Sequence, residues 1–205
     1  MPASDGECNQ LIQDDNDRKD KFVIGMIGRI EYGKGQHVLI EAVSLLNNKN
    51  SGLQVVMAGP INDGKYFEQL NQQIQDKQLN ERVKYLGVSR DPGKLMSCCD
   101  VVVLTTYCET FGLTLVEAMR AGTAVIGSRA GGVLEIIRHN ETGLLFEPGN
   151  ARQLAECLST LSENPVMRTK LAAAGKQFAD EMFNEKSHFE KLERTLVAEV
   201  GDTFV

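Results

Sequence analysis

The sequence predicts an α/β fold, a doubly wound parallel sheet of about six strands with helices on both faces. From Lys21 onward, short apolar runs alternate with amphipathic stretches, the mark of repeated strand–helix units. Two of these runs, 22–28 (FVIGMIG) and 100–105 (DVVVLT), are almost continuously apolar, as a strand covered on both faces requires. The 205 residues, 42% hydrophobic and 24% charged, suit one compact domain that buries a full core without staples.

Taken in order, the strands fall at 22–28, 53–58 (LQVVMA), 82–86 (RVKYL), 100–105, 123–127 (TAVIG) and 143–146 (GLLF). Helical patterns fill the intervals at 36–47, 65–77, 92–98, 112–121 and 131–139. Three further helices, 150–162, 165–180 and 185–199, close the chain, and the last is expected to pack its own apolar positions (Phe189, Leu192, Leu196 and Val200) on the sheet. Residues 1–20 are polar and break the pattern, so they read as a tail or the remnant of an interdomain linker, with the domain spanning 21–205. The alternation makes the sheet Rossmann-like. Ligands of such sheets sit at the carboxyl ends of the strands, beside helix N-termini. Chemistry is therefore expected in the loops after the first and fourth strands.

Composition narrows the partners. With 28 acidic against 22 basic residues the net charge is −6, which argues against nucleic acid as a partner but leaves room for a local cationic site. No apolar run reaches the roughly 18–20 residues of a membrane span. The N-terminus lacks the apolar core of a signal peptide, so the expected location is the cytoplasm. The five cysteines have no metal-ligand spacing and read as reduced thiols, with Cys98, Cys99 and Cys108 as small buried hydrophobes beside a strand. From Lys21 onward neither an Asp-x-Asp pair nor a His/Cys cluster offers a metal site; Asp15-Asn16-Asp17 lies in the polar tail.

After the first strand comes Gly28-Arg29-Ile30-Glu31-Tyr32-Gly33-Lys34-Gly35. Its glycines permit close backbone approach, and Arg29 and Lys34 can converge on one anion from the two ends of the loop. A helix from about Gln36 adds its positive dipole end. The segment matches neither the nucleotide P-loop nor the dinucleotide fingerprint. Alone, it fits a diphosphate cradle and an ordinary glycine-rich turn equally well.

After the fourth strand comes Cys108-Glu109-Thr110-Phe111-Gly112-Leu113-Thr114-Leu115-Val116-Glu117. With a helix starting near Gly112, Glu109 stands in the loop at the sheet edge while Glu117 projects from the helix. The unpaired amides from Phe111 to Thr114 would face the same cleft. Carboxylates accept hydrogen bonds from vicinal hydroxyls and helix-end amides take phosphate oxygens, a combination that suits a sugar nucleotide. Taken singly, Glu117 is a solvated helix glutamate and Glu109 a helix-start acid; only together with the cationic loop do they make a site. His37, just after that loop, is close enough in sequence to approach the same ligand. Gly131-Gly132 reads either as a second backbone approach to the sugar or as a plain helix start.

These landmarks resemble, in order, the C-terminal domain of GT-B glycosyltransferases of glycosyltransferase family 4, the glycosyl transferases group 1 domain. The resemblance runs from about Phe22 to Leu161 through GRIEYGKG, LQVVMAGP, VKYLGVS, DVVVLTTYCETFGLTLVEAMRAGTAVIGSRAGGVLEII and TGLLFEPGN. It implies that Arg29 and Lys34 bind the donor diphosphate and stabilise its growing charge, and that Glu109 sits beside the transferred sugar as the residue discussed as catalytic. Glu117 would hold the ribose hydroxyls. Amides at Phe111, Gly112, Leu113 and Thr114 would meet phosphates and sugar, Val88 would contact the base through its backbone, and Gly28 would let the loop approach the donor. The implied reaction is transfer from a nucleoside diphosphate sugar, such as a UDP- or GDP-sugar, with retention of configuration and no metal or further cofactor.

The resemblance covers one of the two domains of such enzymes; the acceptor-binding domain is absent. A sugar, lipid-linked or small-molecule acceptor would be bound through that missing N-terminal domain, and the full-length protein would be compatible with peripheral membrane association. Two other functions fit the same residues: a non-catalytic nucleotide-sugar-binding module working with a separate acceptor-domain partner, and a GT-B-like sugar-nucleotide epimerase.

Overall fold

The computed structural model describes residues 21–46 and 52–183. Six strands, β1 (Phe22–Ile27), β2 (Leu53–Ala58), β3 (Val83–Tyr85), β4 (Val101–Leu104), β5 (Ala124–Ser128) and β6 (Leu144–Phe146), form one parallel sheet in the order β3-β2-β1-β4-β5-β6. The centre is the longest ladder, with Phe22 opposite Leu53 through to Ile27 opposite Ala58. Three-residue strands close both ends of the sheet.

Seven helices lie among the described residues: α1 (Gln36–Leu46), α2 (Gly64–Asp76), α3 (Pro92–Ser97), α4 (Leu113–Arg120), α5 (Val133–Ile136), α6 (Ala151–Glu163) and α7 (Pro165–Met182). The strands alternate their side chains between two cores. Ile24, Val55, Val103 and Ile126 pack with Leu39 of α1, Leu70 of α2 and Leu158 of α6 on one face. Val23, Val56, Val102 and Val125 pack with Leu95 of α3, Leu115 and Met119 of α4 and Val133 of α5 on the other. Both faces are buried, which explains the unbroken apolar strands. Gly25 lets α3 come close: a Cβ there would stand 2.7 Å from the Cys99 sulfur.

Chain order reverses between β1 and β4, so the loops that leave them diverge and open a crevice at their carboxyl ends. At the opposite end the sheet is tied shut. The Asp100 carboxylate accepts from the Val23 amide at 2.8 Å and pairs with Arg168 of α7 at 3.3 Å.

The expected elements are present, with differences that have local causes. The helix expected over 131–139 is only the four residues Val133–Ile136. Gly131 and Gly132 are taken into a turn where the Gly132 amide donates to the Glu109 carbonyl, and the Arg138 amide donates to the Thr142 hydroxyl instead of continuing the helix. β4 stops at Leu104 because the Thr105 hydroxyl turns to the loop after β1. Cys98 and Cys99 are buried as expected, but Cys108 is exposed in its loop. Among the described residues, Cys99, Cys108 and Cys157 are free thiols. The helix expected at 185–199 lies outside the described residues. None of the described helices is long and apolar enough to cross a membrane.

Candidate functional site

The loop after β1 is built to a fixed shape before any ligand arrives. Tyr32–Lys34 makes one 3-10 turn, ended by Gly35 in the left-handed region (φ 71°). A side chain at Gly35 would run into the Thr105 carbonyl, so the strand end and the loop touch backbone to backbone. The buried Thr105 hydroxyl lies 2.7 Å from the Lys34 carbonyl and 2.8 Å from that of Gly35. Thr106 donates to the Gly33 carbonyl at 3.1 Å, and the Tyr107 amide donates to the same carbonyl at 3.1 Å. The end of β4 thus grips the backbone that carries Lys34.

That grip brings the two loops' chemistry together. Lys34 Nζ stands 2.7 Å from Glu109 Oε2, with the side chains only 20% and 15% exposed. Arg29 is more open and pairs with Glu31 at 3.2 Å. Gly28, Arg29, Lys34 and Thr114 line one depression, floored by Met26, Ile27 and Leu104 at the strand ends. Buried Gln36 also lines it, donating from Nε2 to the Arg29 carbonyl at 2.7 Å, while its Oε1 has no partner among the described residues.

α4 begins without the side-chain cap that four of the other helices have. Asp63, Asp91, Asn150 and Asn164 each cap a helix by accepting an amide hydrogen bond. At α4 the cap position is Gly112 in the left-handed region (φ 91°), with no side-chain cap. Its first-turn amides are therefore available to an anion at the positive end of the helix.

The Glu109 loop rests on the glycine pair. Side chains at Gly131 or Gly132 would collide with the backbone carbonyls of Glu109 and Thr110 respectively. The helix-start reading of this pair holds, since Gly132 is the N-cap of α5, and the same turn supports Glu109 through its backbone. Phe111 is 39% exposed and sets its ring edge-on to Phe183 at 5.7 Å. Leu113 and Val88 are exposed at the same edge, Val88 in the loop where Gly87 accepts from the Gly59 amide. Glu117 is exposed on α4, and neither it nor Val88 lines the depression.

His37 does not join Lys34. Its ring bonds to the Tyr66 and Tyr107 hydroxyls at 2.7 and 3.0 Å, and burial holds it below its ordinary value. Burial also pushes the Tyr66 phenol up to about 12. The roles of Thr105, Thr106 and Gln36 as anchors of the Lys34 loop were not anticipated from sequence. Their only signal was the unusual pair of hydroxyls ending an otherwise apolar strand.

Fold and site define a doubly wound α/β domain with two cations, an acid and an open helix start gathered at its topological switch point. The chain belongs to the glycosyl transferases group 1 family, whose model matches residues 9–178. A D-inositol 3-phosphate glycosyltransferase of Pseudarthrobacter chlorophenolicus is 31% identical over 75% of this chain and 37% of its own length. Among solved structures, Anabaena Alr3699/HepE in complex with UDP-glucose superimposes with a TM-score of 0.84 at 30% identity, over 96% of this chain and 54% of that one. The C-terminal domain of the group 1 family protein LpcC from Francisella tularensis matches with a TM-score of 0.75 at 27% identity, over 90% and 95% of the two chains. The fold is that of the C-terminal half of GT-B glycosyltransferases. The chain spans between a third and half of the length of the curated relatives it matches.

Proposed function

We propose that this chain is the donor-binding domain of a retaining, metal-independent glycosyltransferase that moves a sugar from a nucleoside diphosphate sugar to an acceptor. The observation that carries the reading is the meeting of Lys34 and Glu109 at 2.7 Å beside an uncapped helix start. Arg29, Lys34 and the amides of α4 supply fixed positive charge where a leaving diphosphate gains negative charge, the task that elsewhere falls to a metal ion. No cofactor beyond the nucleotide sugar is invoked. Glu109 contacts the transferred sugar, and Glu117, Val88 and the amides from Phe111 to Thr114 hold ribose, base and phosphates. The UDP-glucose bound by the Anabaena protein favours a uridine donor. Retention follows from the resemblance to family 4, and the acceptor is held by a further domain of the full-length protein, at a cytoplasmic or membrane-peripheral location.

Calorimetry of the 205-residue chain with UDP and UDP-sugars tests the donor half of the reading. Binding that weakens on Arg29→Ala and Glu117→Ala and persists in a chelator supports it. Absence of binding by UDP- and GDP-sugars alike, with indifference to both substitutions, overturns it. Retention is read from the anomeric configuration of the product made by the full-length protein.

A further inference from the structure

Next to the donor site, four rings gather that donor binding does not use: Tyr32 in the loop after β1, His37 in the first turn of α1, Tyr66 in α2 and Tyr107 in the loop after β4. Tyr32 stacks on His37 with centroids 4.9 Å apart and lies parallel to Tyr107, 8° between planes at 5.9 Å. Tyr66 is buried and meets Tyr32 and His37 edge-on. The group is held rigid. His37 Nδ1 and Nε2 bond to the Tyr66 and Tyr107 hydroxyls, the His37 amide donates to the Tyr66 hydroxyl at 3.1 Å, and Gly149 packs under the Tyr107 ring. Yet Tyr32 is 61% and Tyr107 40% exposed. Rings fixed in advance and left open to solvent have already lost the freedom that binding would otherwise cost.

We infer that this cluster is a saccharide platform on which one pyranose ring of the acceptor rests beside the transfer site while the further domain holds the remainder, an inference that rests on the donor reading above. Placement is the first argument. Tyr32 precedes Lys34 by two residues and Tyr107 precedes Glu109 by two. The Tyr107 amide is bonded to the Gly33 carbonyl, so one pair of loops carries both the platform and the donor charges.

Chemistry is the second argument. A pyranose offers a C–H face and a rim of hydroxyls, which calls for an aromatic face flanked by planar polar groups. Glu31 precedes Tyr32 in the chain, pairs with Arg29 at 3.2 Å and accepts from Asn62 at 3.3 Å, and to these polar groups we assign that rim. Size is the third. A tyrosine buries about 150–250 Å² when covered, so the exposed parts of Tyr32 and Tyr107 offer at most roughly 250 Å². A stable protein partner needs about 800 Å² on each side. The patch fits a sugar and is small for a protein.

The chain has no tryptophan, and three of its four tyrosines belong to the cluster, so tyrosine emission and ring resonances report on it directly. The test titrates the 205-residue chain with maltotriose, mannotriose and triacetylchitotriose, with and without UDP. A saturable change with at least one trisaccharide is expected in the millimolar range. Tyr32→Ala and Tyr107→Ala should each weaken it about tenfold and leave UDP affinity and melting temperature near those of the parent chain, whereas Tyr85→Phe should leave it intact. The inference is overturned if the chain binds UDP but no trisaccharide perturbs the tyrosines, or if the perturbation survives both alanine substitutions. It is equally overturned if, in the full-length protein without saccharide, Tyr32 and Tyr107 are shielded from nitration by tetranitromethane, which would make the cluster an interdomain contact. Loss of UDP binding alone sinks the donor reading, and the trisaccharide titration still decides the platform.

Discussion

The ammonium of Lys34 rests on the carboxylate of Glu109 at 2.7 Å, joining loops 75 residues apart with both side chains mostly buried. A diphosphate that recruits Lys34 must therefore draw it from Glu109, and binding measures a competition between two anions for one cation.

Glu109→Gln removes the competitor while keeping the shape. UDP affinity is expected to rise about threefold to tenfold, the worth of a partly buried ion pair of roughly 1 kcal/mol, while transfer by the full-length protein falls at least about a hundredfold. Calorimetry and a transfer assay read the two separately. Unchanged or weaker UDP binding would show that Lys34 is not withheld by Glu109.

Gly132→Ala strikes the support rather than the acid. The new Cβ would stand 2.8 Å from the Phe111 Cα and collide with the Thr110 carbonyl, both of them backbone, so no rotamer change relieves it. The Glu109 loop has to move. Transfer should fall on the order of a hundredfold, as expected for displacement of a reacting group by about 1 Å. Parent-like transfer kinetics in the variant would exclude the supporting role.

Thr105→Val tests the grip on the Lys34 backbone. Valine keeps the volume and leaves two carbonyls, of Lys34 and Gly35, without the hydroxyl. Losing such buried hydrogen bonds costs about 1–3 kcal/mol, which thermal denaturation reads as a drop of roughly 2–4 °C per kcal/mol. A melting temperature unchanged by the substitution would contradict the assignment.

Stability should also depend on pH in a stated direction. Burial lowers the His37 value from 6.5, and burial with the nearby Arg129 charge lowers that of His139. The folded state therefore holds both rings neutral while the unfolded chain takes up protons at 6.5. This contribution is complete above 6.5, is lost as pH falls from there through the lowered folded values, and then levels off. Denaturation midpoints between pH 7.5 and about 5, above the carboxylate range, should fall with pH, and His37→Gln should flatten part of the slope. A slope identical in the variant would remove His37 from the account.

Much of the fold was legible because burial on two faces writes itself into composition. The runs at 22–28 and 100–105 read as buried strands and are β1 and β4. Helix ends were legible where a side chain caps them, as at Asn164 before Pro165. Of the site, residue types at the two loops pointed to Arg29, Lys34 and Glu109; Lys34 and Glu109 meet at 2.7 Å, while Arg29 pairs with Glu31. What escaped depends on contacts between distant segments. Gly132 does start α5, but nothing in the local sequence shows that its amide donates to the Glu109 carbonyl. Tyr32, His37, Tyr66 and Tyr107 come from four separate elements, and no local period links them.

The sheet ends on both sides in strands of three residues. An unpaired strand edge is a template on which another chain can extend a sheet, and its pull grows with its length. Edges this brief give a newcomer little to zip onto. Crowded copies of this domain should resist fibre formation through their rims, and any self-association should run through helical surfaces instead.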